Sequence, residues 1–173
     1  GEVGGREFLG CRRKRRAPVV FGSIVKTNEG REIPFMIESS PLVSTPSEAK
    51  QLGRPIVYVQ ANIHAGEVEG KEALLALLRD LTFSGKPNAL DSIVLIAVPI
   101  YNADGNERFA PQSVNRTEQN GPEMVGIRAN ARNLDLNRDY RKAEAPATRP
   151  PRGKFDLWDT EVLVHLLTTD VSF

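Results

Sequence analysis

Two apolar segments with an amphipathic segment between them constrain the fold of this chain more than any other feature. Residues 55–61, PIVYVQA, have the length and apolar character of a buried strand. Residues 67–81 follow with leucines at spacings of three and four, which predicts a helix with one apolar face. Residues 93–100, IVLIAVPI, form a continuous apolar run, as expected of a strand covered on both faces. Strand, helix and strand in this order predict a β-α-β unit within a largely parallel sheet.

Two sets of side chains define the predicted faces of this helix. The apolar set consists of Leu74, Leu77, Leu78 and Leu81. The polar set consists of Lys71, Glu72, Arg79 and Asp80. We expect the first set to be buried against the sheet and the second to face solvent.

Three further elements are predicted on either side of this unit. Residues 18–26 and 33–39 are rich in β-branched and aromatic residues with a polar turn between them, which predicts a hairpin or two adjacent strands. Thr45 followed by Pro46 predicts the start of a short helix. Residues 161–167, EVLVHLL, predict one more buried strand.

Composition limits the classes of partner. The chain has 173 residues and a formal net charge of +1, so we expect one domain with its own core and no overall field that favours nucleic acid or an anionic membrane. The basic run CRRKRR, residues 11–16, lies in an N-terminal segment, 1–17, that we expect to be an irregular arm. A solvated charged face is the favoured interpretation of this run, and a nucleic-acid or targeting role is the alternative.

Compartment is not decided by the sequence. No apolar run approaches the ~20 residues of a membrane span, and no secretory signal is visible. The chain begins with Gly1 rather than Met, so the lack of a visible signal carries little weight. Its single cysteine, Cys11, excludes an internal disulfide. Oligomeric state is not predicted.

One of the two histidines lies where the first strand of the unit turns into the helix, in the stretch NIHAGEVEG. A neutral imidazole and a carboxylate are good zinc ligands, and His64 and Glu67 are spaced so that both side chains can face one point. The alternative is a surface histidine beside a glutamate that merely favours the helix N-terminus.

Two polar loops lie further along the chain. Residues 101–109, YNADGNERF, follow an apolar strand, and ligands of open α/β sheets bind beyond the carboxyl ends of the strands. Ordinary turn chemistry explains NADG equally well. Residues 128–140 place arginines among asparagines, with Asp135 near Arg138. Arginine binds carboxylates in bidentate fashion, so this loop predicts either an anion site or a surface loop held by Arg–Asp pairs.

Together, the pieces NIHAGEVEGKEALL, VPIYNADGNERF and NLDLNRDYRKAEAP resemble the zinc carboxypeptidase family from about residue 24 to the C-terminus. The resemblance implies an α/β fold of three layers, with a mixed, mainly parallel sheet flanked by helices. It further implies that residues 18–173 are the N-terminal part of such a domain, incomplete in this chain, so we expect exposed apolar edges.

Roles follow from the resemblance position by position. His64 and Glu67 correspond to the first two ligands of a single zinc ion. Arg128 corresponds to the residue that polarises the scissile carbonyl and stabilises the oxyanion. Asn137 and Arg138 correspond to the pair that binds the terminal carboxylate of the substrate. The implied reaction is zinc-dependent hydrolysis of C-terminal amino acids from peptides, and the implied partner is a peptide or small amide with a free carboxylate rather than nucleic acid or a membrane.

The sequence departs from the family pattern at two positions, those of the third zinc ligand and of the general base. The third zinc ligand is a histidine at a strand end, and alignment of VHLLTTDVSF puts Leu167 there. His165 is two residues earlier, on the same face of the strand but displaced by roughly 6–7 Å. Neither Glu144 nor Glu161 matches the position of the general base. We therefore expect a truncated or impaired hydrolase, with a non-catalytic protein that binds peptide carboxylates and a zinc-dependent deacylase of N-acyl amino acids as alternatives.

Overall fold

The computed structural model describes residues 19–83, 87–116, 121–139 and 157–168. The predicted arm and its basic run, together with Glu144, lie outside these residues. Statements about them remain predictions.

The main sheet is mixed. The strands in chain order are β1 (Val19–Lys26), β2 (Glu32–Glu38), β3 (Ile56–Ala61), β4 (Val94–Val98), β5 (Ala110–Pro111), β6 (Met124–Val125) and β7 (Val162–Leu166). Within the described ranges, five of them form one sheet in the order β1-β2-β4-β3-β7, and β5 pairs with β6 apart from it. β2 pairs antiparallel with β1 and with β4. β3 pairs parallel with β4 and with β7. The predicted hairpin and β-α-β unit are confirmed.

Helices connect and cover these strands. They are α1 (Pro46–Leu52), α2 (Val68–Phe83), α3 (Ala103–Glu107), α4 (Gln112–Asn115) and α5 (Leu136–Asp139). α1 starts at a capping box, in which the Thr45 side chain accepts from the amide of Glu48 and the Glu48 carboxylate accepts from the amide of Thr45. α2 is the crossover between β3 and β4. No helix within the described residues is both long and apolar enough to cross a membrane.

The position of β4 between two core clusters explains why its sequence is apolar throughout. Val94, Ile96 and Val98 pack into one core cluster with Tyr58 of β3. Leu95 and Ala97 point to the other face, where they pack with Leu74 and Leu78 of α2. Side chains alternate along a strand, so a central strand with a core on both faces has no position that suits a polar residue.

The predicted faces of α2 need two corrections. Leu74 and Leu78 are fully buried as expected, but Leu77 is 45% exposed. Lys71 is buried, and its Nζ donates to Oδ1 of Asn106 at 3.1 Å. The buried sector of the helix is therefore rotated toward Lys71 and away from Leu77, because the segment that carries α3 packs over the Lys71 side.

At the far side of the sheet, β7 is an edge strand in the described structure, next to β3. Its residues Val162 and Leu163 are 45% and 52% exposed. The strand predicted in residues 161–167 is present, but the prediction that it is buried is wrong, because among the described residues only β3 pairs with it. The expected exposed apolar edge is found at β7.

Replacement of Leu74 by alanine tests the packing of α2 on the sheet. We expect Leu74→Ala to lower the free energy of unfolding by about 2–5 kcal/mol, because it leaves a cavity in a fully buried layer. Leu77→Ala, on the exposed side of the same helix, is the matched control and should change it by less than about 0.5 kcal/mol. Urea denaturation measures both, and equal losses in the two variants would show that the helix is rotated differently.

Candidate active site

The carboxyl ends of β3 and β4 lie at one edge of the sheet because the two strands are parallel. The loops that follow them are held together by backbone hydrogen bonds, from Tyr101 N to Ala61 O and from Asn102 N to Asn62 O, each 3.1 Å long. The side chain of Asn62 donates to the carbonyls of Ala65 and Glu67, both at 3.2 Å, and so fixes the first loop.

His64 and Glu67 meet in this first loop. Nδ1 of His64 lies 2.8 Å from Oε1 of Glu67, and the amide of Glu67 donates to the carbonyl of His64 at 2.9 Å. Only 4% of His64 and 9% of Glu67 is exposed, which excludes the alternative of a surface histidine. The two side chains face one point, as the spacing predicted.

A second carboxylate lies on the other side of the imidazole. Nε2 of His64 is 3.1 Å from Oδ1 of Asp135. Histidines that bind metals usually donate their remote N–H to a carboxylate, which leaves the near nitrogen free for the metal. In that tautomer the lone pair of Nδ1 faces the negatively charged Oε1 of Glu67, and only a cation or a proton between them makes this contact favourable. The arrangement therefore fits a metal ion held by His64 and Glu67.

Arg128 lies at the solvent side of the same cluster. Its Nε donates to Oδ2 of Asp135 at 3.0 Å, and its Nη1 is 3.9 Å from Oε1 of Glu67. The side chain is 51% exposed, so part of the guanidinium is accessible from outside. The site thus combines a buried His–Glu pair with an accessible cation.

Both carboxylates are held in their charged form. Burial would raise the pKa of Glu67, but the contact with His64, the hydrogen bond from the amide of Thr168 and the charge of Arg128 outweigh it and lower the pKa. Burial would likewise raise the pKa of Asp135, and its contacts with His64 and Arg128 lower it. Deprotonated carboxylates are the form that binds metals.

Asn137 and Arg138 belong to α5, which begins beside the cluster. Their backbone amides donate to Oδ1 of Asp135 at 3.0 and 3.3 Å, so Asp135 caps this helix while it contacts His64. The side chain of Arg138 is exposed. Their predicted binding of a substrate carboxylate stays a prediction. An Arg–Asp pair of the kind offered as the alternative for this loop is present between Arg128 and Asp135.

The segment that follows β7 also contacts the cluster. The amide of Thr168 donates to Oε2 of Glu67 at 3.0 Å, so Leu167 comes directly before a residue that contacts the His–Glu pair. His165 lies on β7 opposite Gln60 of β3, and burial, with the neighbouring charge of His64, lowers its pKa.

Among the residues that the structure describes, the set of metal donors is incomplete. Within the described ranges no group of three or more histidine, cysteine, aspartate or glutamate side chains could hold a metal ion. A catalytic zinc site usually has three protein ligands and one open position. His64 and Glu67 fit two of these three ligands.

Two contacts at this cluster were not predicted from the sequence. The contact of Asp135 with His64 was not predicted, because 71 positions separate the two residues along the chain. Arg116 and Glu69 form an ion pair at 3.0 Å next to the His64 loop. No local pattern signals that pair, because 47 positions separate its members along the chain.

A histidine–glutamate pair backed by a second carboxylate, at the carboxyl edge of an open α/β sheet, is the arrangement expected of an α/β metallohydrolase. The family model described as zinc carboxypeptidase matches residues 14–159. The chain therefore belongs to the zinc carboxypeptidase family. The match includes the residues from His64 to Arg138 and ends before β7, where the third zinc ligand is expected.

Known relatives agree with this assignment. The chain is 32% identical over 154 residues to carboxypeptidase 2 of Trichophyton rubrum, and the alignment covers 86% of this chain and 25% of that protein. It is 33% identical over 134 residues to carboxypeptidase D of Mus musculus, covering 74% of this chain and 9% of that protein. The chain thus spans about a quarter of the length of the carboxypeptidase 2 proteins that it matches.

A solved structure shows the same fold. The metallo-carboxypeptidase from Burkholderia cenocepacia superimposes with a TM-score of 0.66 at 18% sequence identity, and the match covers 95% of this chain and 40% of that one. The predicted α/β fold with a mixed sheet flanked by helices is confirmed.

Removal of the Asp135 carboxylate tests whether it organises the site. We expect Asp135→Ala to lower the free energy of unfolding by about 1–3 kcal/mol, because His64, Arg128 and the first amides of α5 all lose an acceptor. Asp80→Ala removes an exposed carboxylate of α2 and serves as the control, with an expected change below about 0.5 kcal/mol. Chemical denaturation of both variants gives the comparison, and a neutral Asp135→Ala would contradict this role.

Proposed function

We propose that this domain is of the metallocarboxypeptidase type and that its reaction is zinc-dependent hydrolysis of C-terminal amino acids from peptides. The observation that carries the proposal is the 2.8 Å contact between Nδ1 of His64 and Oε1 of Glu67, with Asp135 on the far nitrogen of the ring. Membership of the zinc carboxypeptidase family supports it.

His64 and Glu67 would hold the zinc ion. When bound, zinc lowers the pKa of a coordinated water and polarises a carbonyl as a Lewis acid. Asp135 keeps the imidazole in the tautomer that presents Nδ1 toward Glu67. The two ligand atoms already face each other in the structure, so they need only move slightly apart to accept an ion about 2 Å from each.

Arg128 is the proposed catalytic cation. Asp135 accepts from its Nε at 3.0 Å, which anchors the guanidinium beside Glu67 while half of the side chain stays accessible. A cation held in this way can stabilise the oxyanion that develops when a peptide carbonyl is attacked. The carboxylate that sets its position also contacts His64, so Asp135 fixes Arg128 and His64 relative to one another.

Asn137 and Arg138 are the proposed binding site for the terminal carboxylate of the peptide. Both are in the first turn of α5, which is fixed to the site through the Asp135 cap. An exposed guanidinium can accept a carboxylate in bidentate fashion, and the amide of an asparagine adds a donor.

The proposal includes an impaired zinc site in this chain. Leu167 precedes Thr168, whose amide contacts Glu67, and a leucine side chain offers no metal donor. Two ligands hold zinc less tightly than the three of an ordinary catalytic site. This observation favours a second candidate function, a non-catalytic protein that binds the carboxylate terminus of a peptide through Arg128, Asn137 and Arg138.

Zinc binding tests the proposed ligand pair. We expect one zinc ion per chain, with an affinity that falls by more than about ten-fold in His64→Ala. Competition with a chromophoric chelator measures the affinity, and Glu72→Ala, on the solvent side of α2, is the control that should bind as the parent does. Zinc binding that survives in His64→Ala would refute the pair. A parallel loss in His165→Ala would add His165 as the third ligand.

Recognition of the carboxylate is tested with a dipeptide and its C-terminal amide. We expect the parent to prefer the free acid and Arg138→Ala to lose about ten-fold or more of that preference, because a charge-assisted hydrogen bond is lost. Arg79→Ala, an exposed arginine of α2, is the control. Binding that is unaffected by a chelator and gives no hydrolysis would support the non-catalytic candidate. Faster hydrolysis of an N-acyl amino acid than of the dipeptide would indicate the deacylase reaction instead.

A further inference from the structure

The carboxylate of Glu67 is held from two directions. Oε1 faces His64, whereas Oε2 accepts from the backbone amide of Thr168 at 3.0 Å. Thr168 follows β7, so a residue 101 positions away along the chain fixes the rotation of this carboxylate. A carboxylate with one oxygen fixed presents the other in a defined direction.

The side chain of Thr168 is itself fixed. Its Oγ1 donates to Oε2 of Glu69 at 2.8 Å, in the first turn of α2. The two elements meet closely at Gly70, where an added Cβ would lie 2.8 Å from Cβ of Leu166 and 3.0 Å from its carbonyl oxygen. Glycine at this position therefore lets the end of β7 reach the start of α2.

Glu69 is fixed in turn by Arg116. Nη1 of Arg116 donates to both carboxylate oxygens of Glu69, at 3.0 and 3.1 Å, and to the carbonyl of Gly66 at 2.8 Å. Arg116 is only 8% exposed, and a buried guanidinium requires a partner such as this carboxylate. Burial would raise the pKa of Glu69, but hydrogen bonds from its own amide, Thr168 and Arg116 lower it.

We propose that Arg116, Glu69 and Thr168 form a support network of positioning residues that orients Glu67 for the metal. The contacts run in series from Arg116 to Glu69, from Glu69 to the hydroxyl of Thr168, and from the amide of Thr168 to Oε2 of Glu67. Arg116 also contacts the backbone immediately before Glu67. The inference rests on the proposed function in one respect, namely that Glu67 is a zinc ligand.

Loss of a residue in the support network should lower the zinc affinity, although none of these residues is a proposed zinc ligand. Residues that orient metal ligands typically contribute 10–100-fold to metal affinity although they never touch the metal. A residue that only stabilises the fold would change the unfolding transition and leave the metal affinity of the folded chain unchanged. Zinc affinity at a temperature where all variants are folded therefore separates the two roles.

Thr168→Val and Thr168→Ser are the decisive variants, because valine keeps the shape of threonine without its hydroxyl and serine keeps the hydroxyl. We expect zinc affinity to fall about ten-fold in Thr168→Val and to be retained in Thr168→Ser. Glu69→Gln should fall similarly, and Glu72→Gln, on the exposed side of the same helix, should not. If the parent chain binds zinc, equal zinc affinities of the valine and serine variants would overturn the proposal.

Hydrogen exchange of the amide at position 168 provides a readout that does not depend on zinc. Each measured rate is compared with the intrinsic exchange rate for its own side chain, because a valine amide exchanges intrinsically more slowly than a serine amide. The protection factor should be at least about ten-fold lower in Thr168→Val than in Thr168→Ser if the hydroxyl holds this segment against Glu67. A parent chain that binds no zinc, with this difference present, would refute the proposed function and leave the support network in place. Equal protection factors would overturn the support network whatever the zinc result.

Discussion

The parallel pairing of β3 with β4 is the constraint on which the rest of the site depends. Parallel strands end at the same edge, so the loop with His64 and the loop with Asn102 emerge side by side and share backbone hydrogen bonds. α2 must cross back over the sheet to make this pairing possible, and Glu67 just before its start and Glu69 in its first turn then lie at the same edge. The contact between His64 and Glu67 is a consequence of the strand direction together with the length of one loop.

Electrostatics explains why the cluster suits a cation. With a neutral imidazole, the carboxylates of Glu67 and Asp135 outweigh the single charge of Arg128, so the group carries one negative charge in excess. An excess charge in a largely buried site is costly unless a cation or a proton neutralises it. The same contacts that lower the pKa of both carboxylates thus keep the site ready for a metal ion.

Periodicity predicted the strands and α2 because burial on a sheet imposes its own repeat on the sequence. It placed Leu77 and Lys71 on the wrong faces, since a helical pattern alone does not fix how far the buried sector turns toward a neighbouring segment. His64 and Glu67 were predictable because they are three positions apart in one turn. The contact of Thr168 with Glu67 joins residues 101 positions apart and depends on the register of β7, which no local pattern encodes.

Anomalous diffraction at the zinc edge, from crystals grown with zinc, tests directly whether one zinc ion is held by His64 and Glu67. We expect a single strong peak about 2 Å from Nδ1 of His64 and at a similar distance from the carboxylate of Glu67. A map without a peak at Nδ1, or with the ion on the Nε2 side beside Asp135, would contradict it.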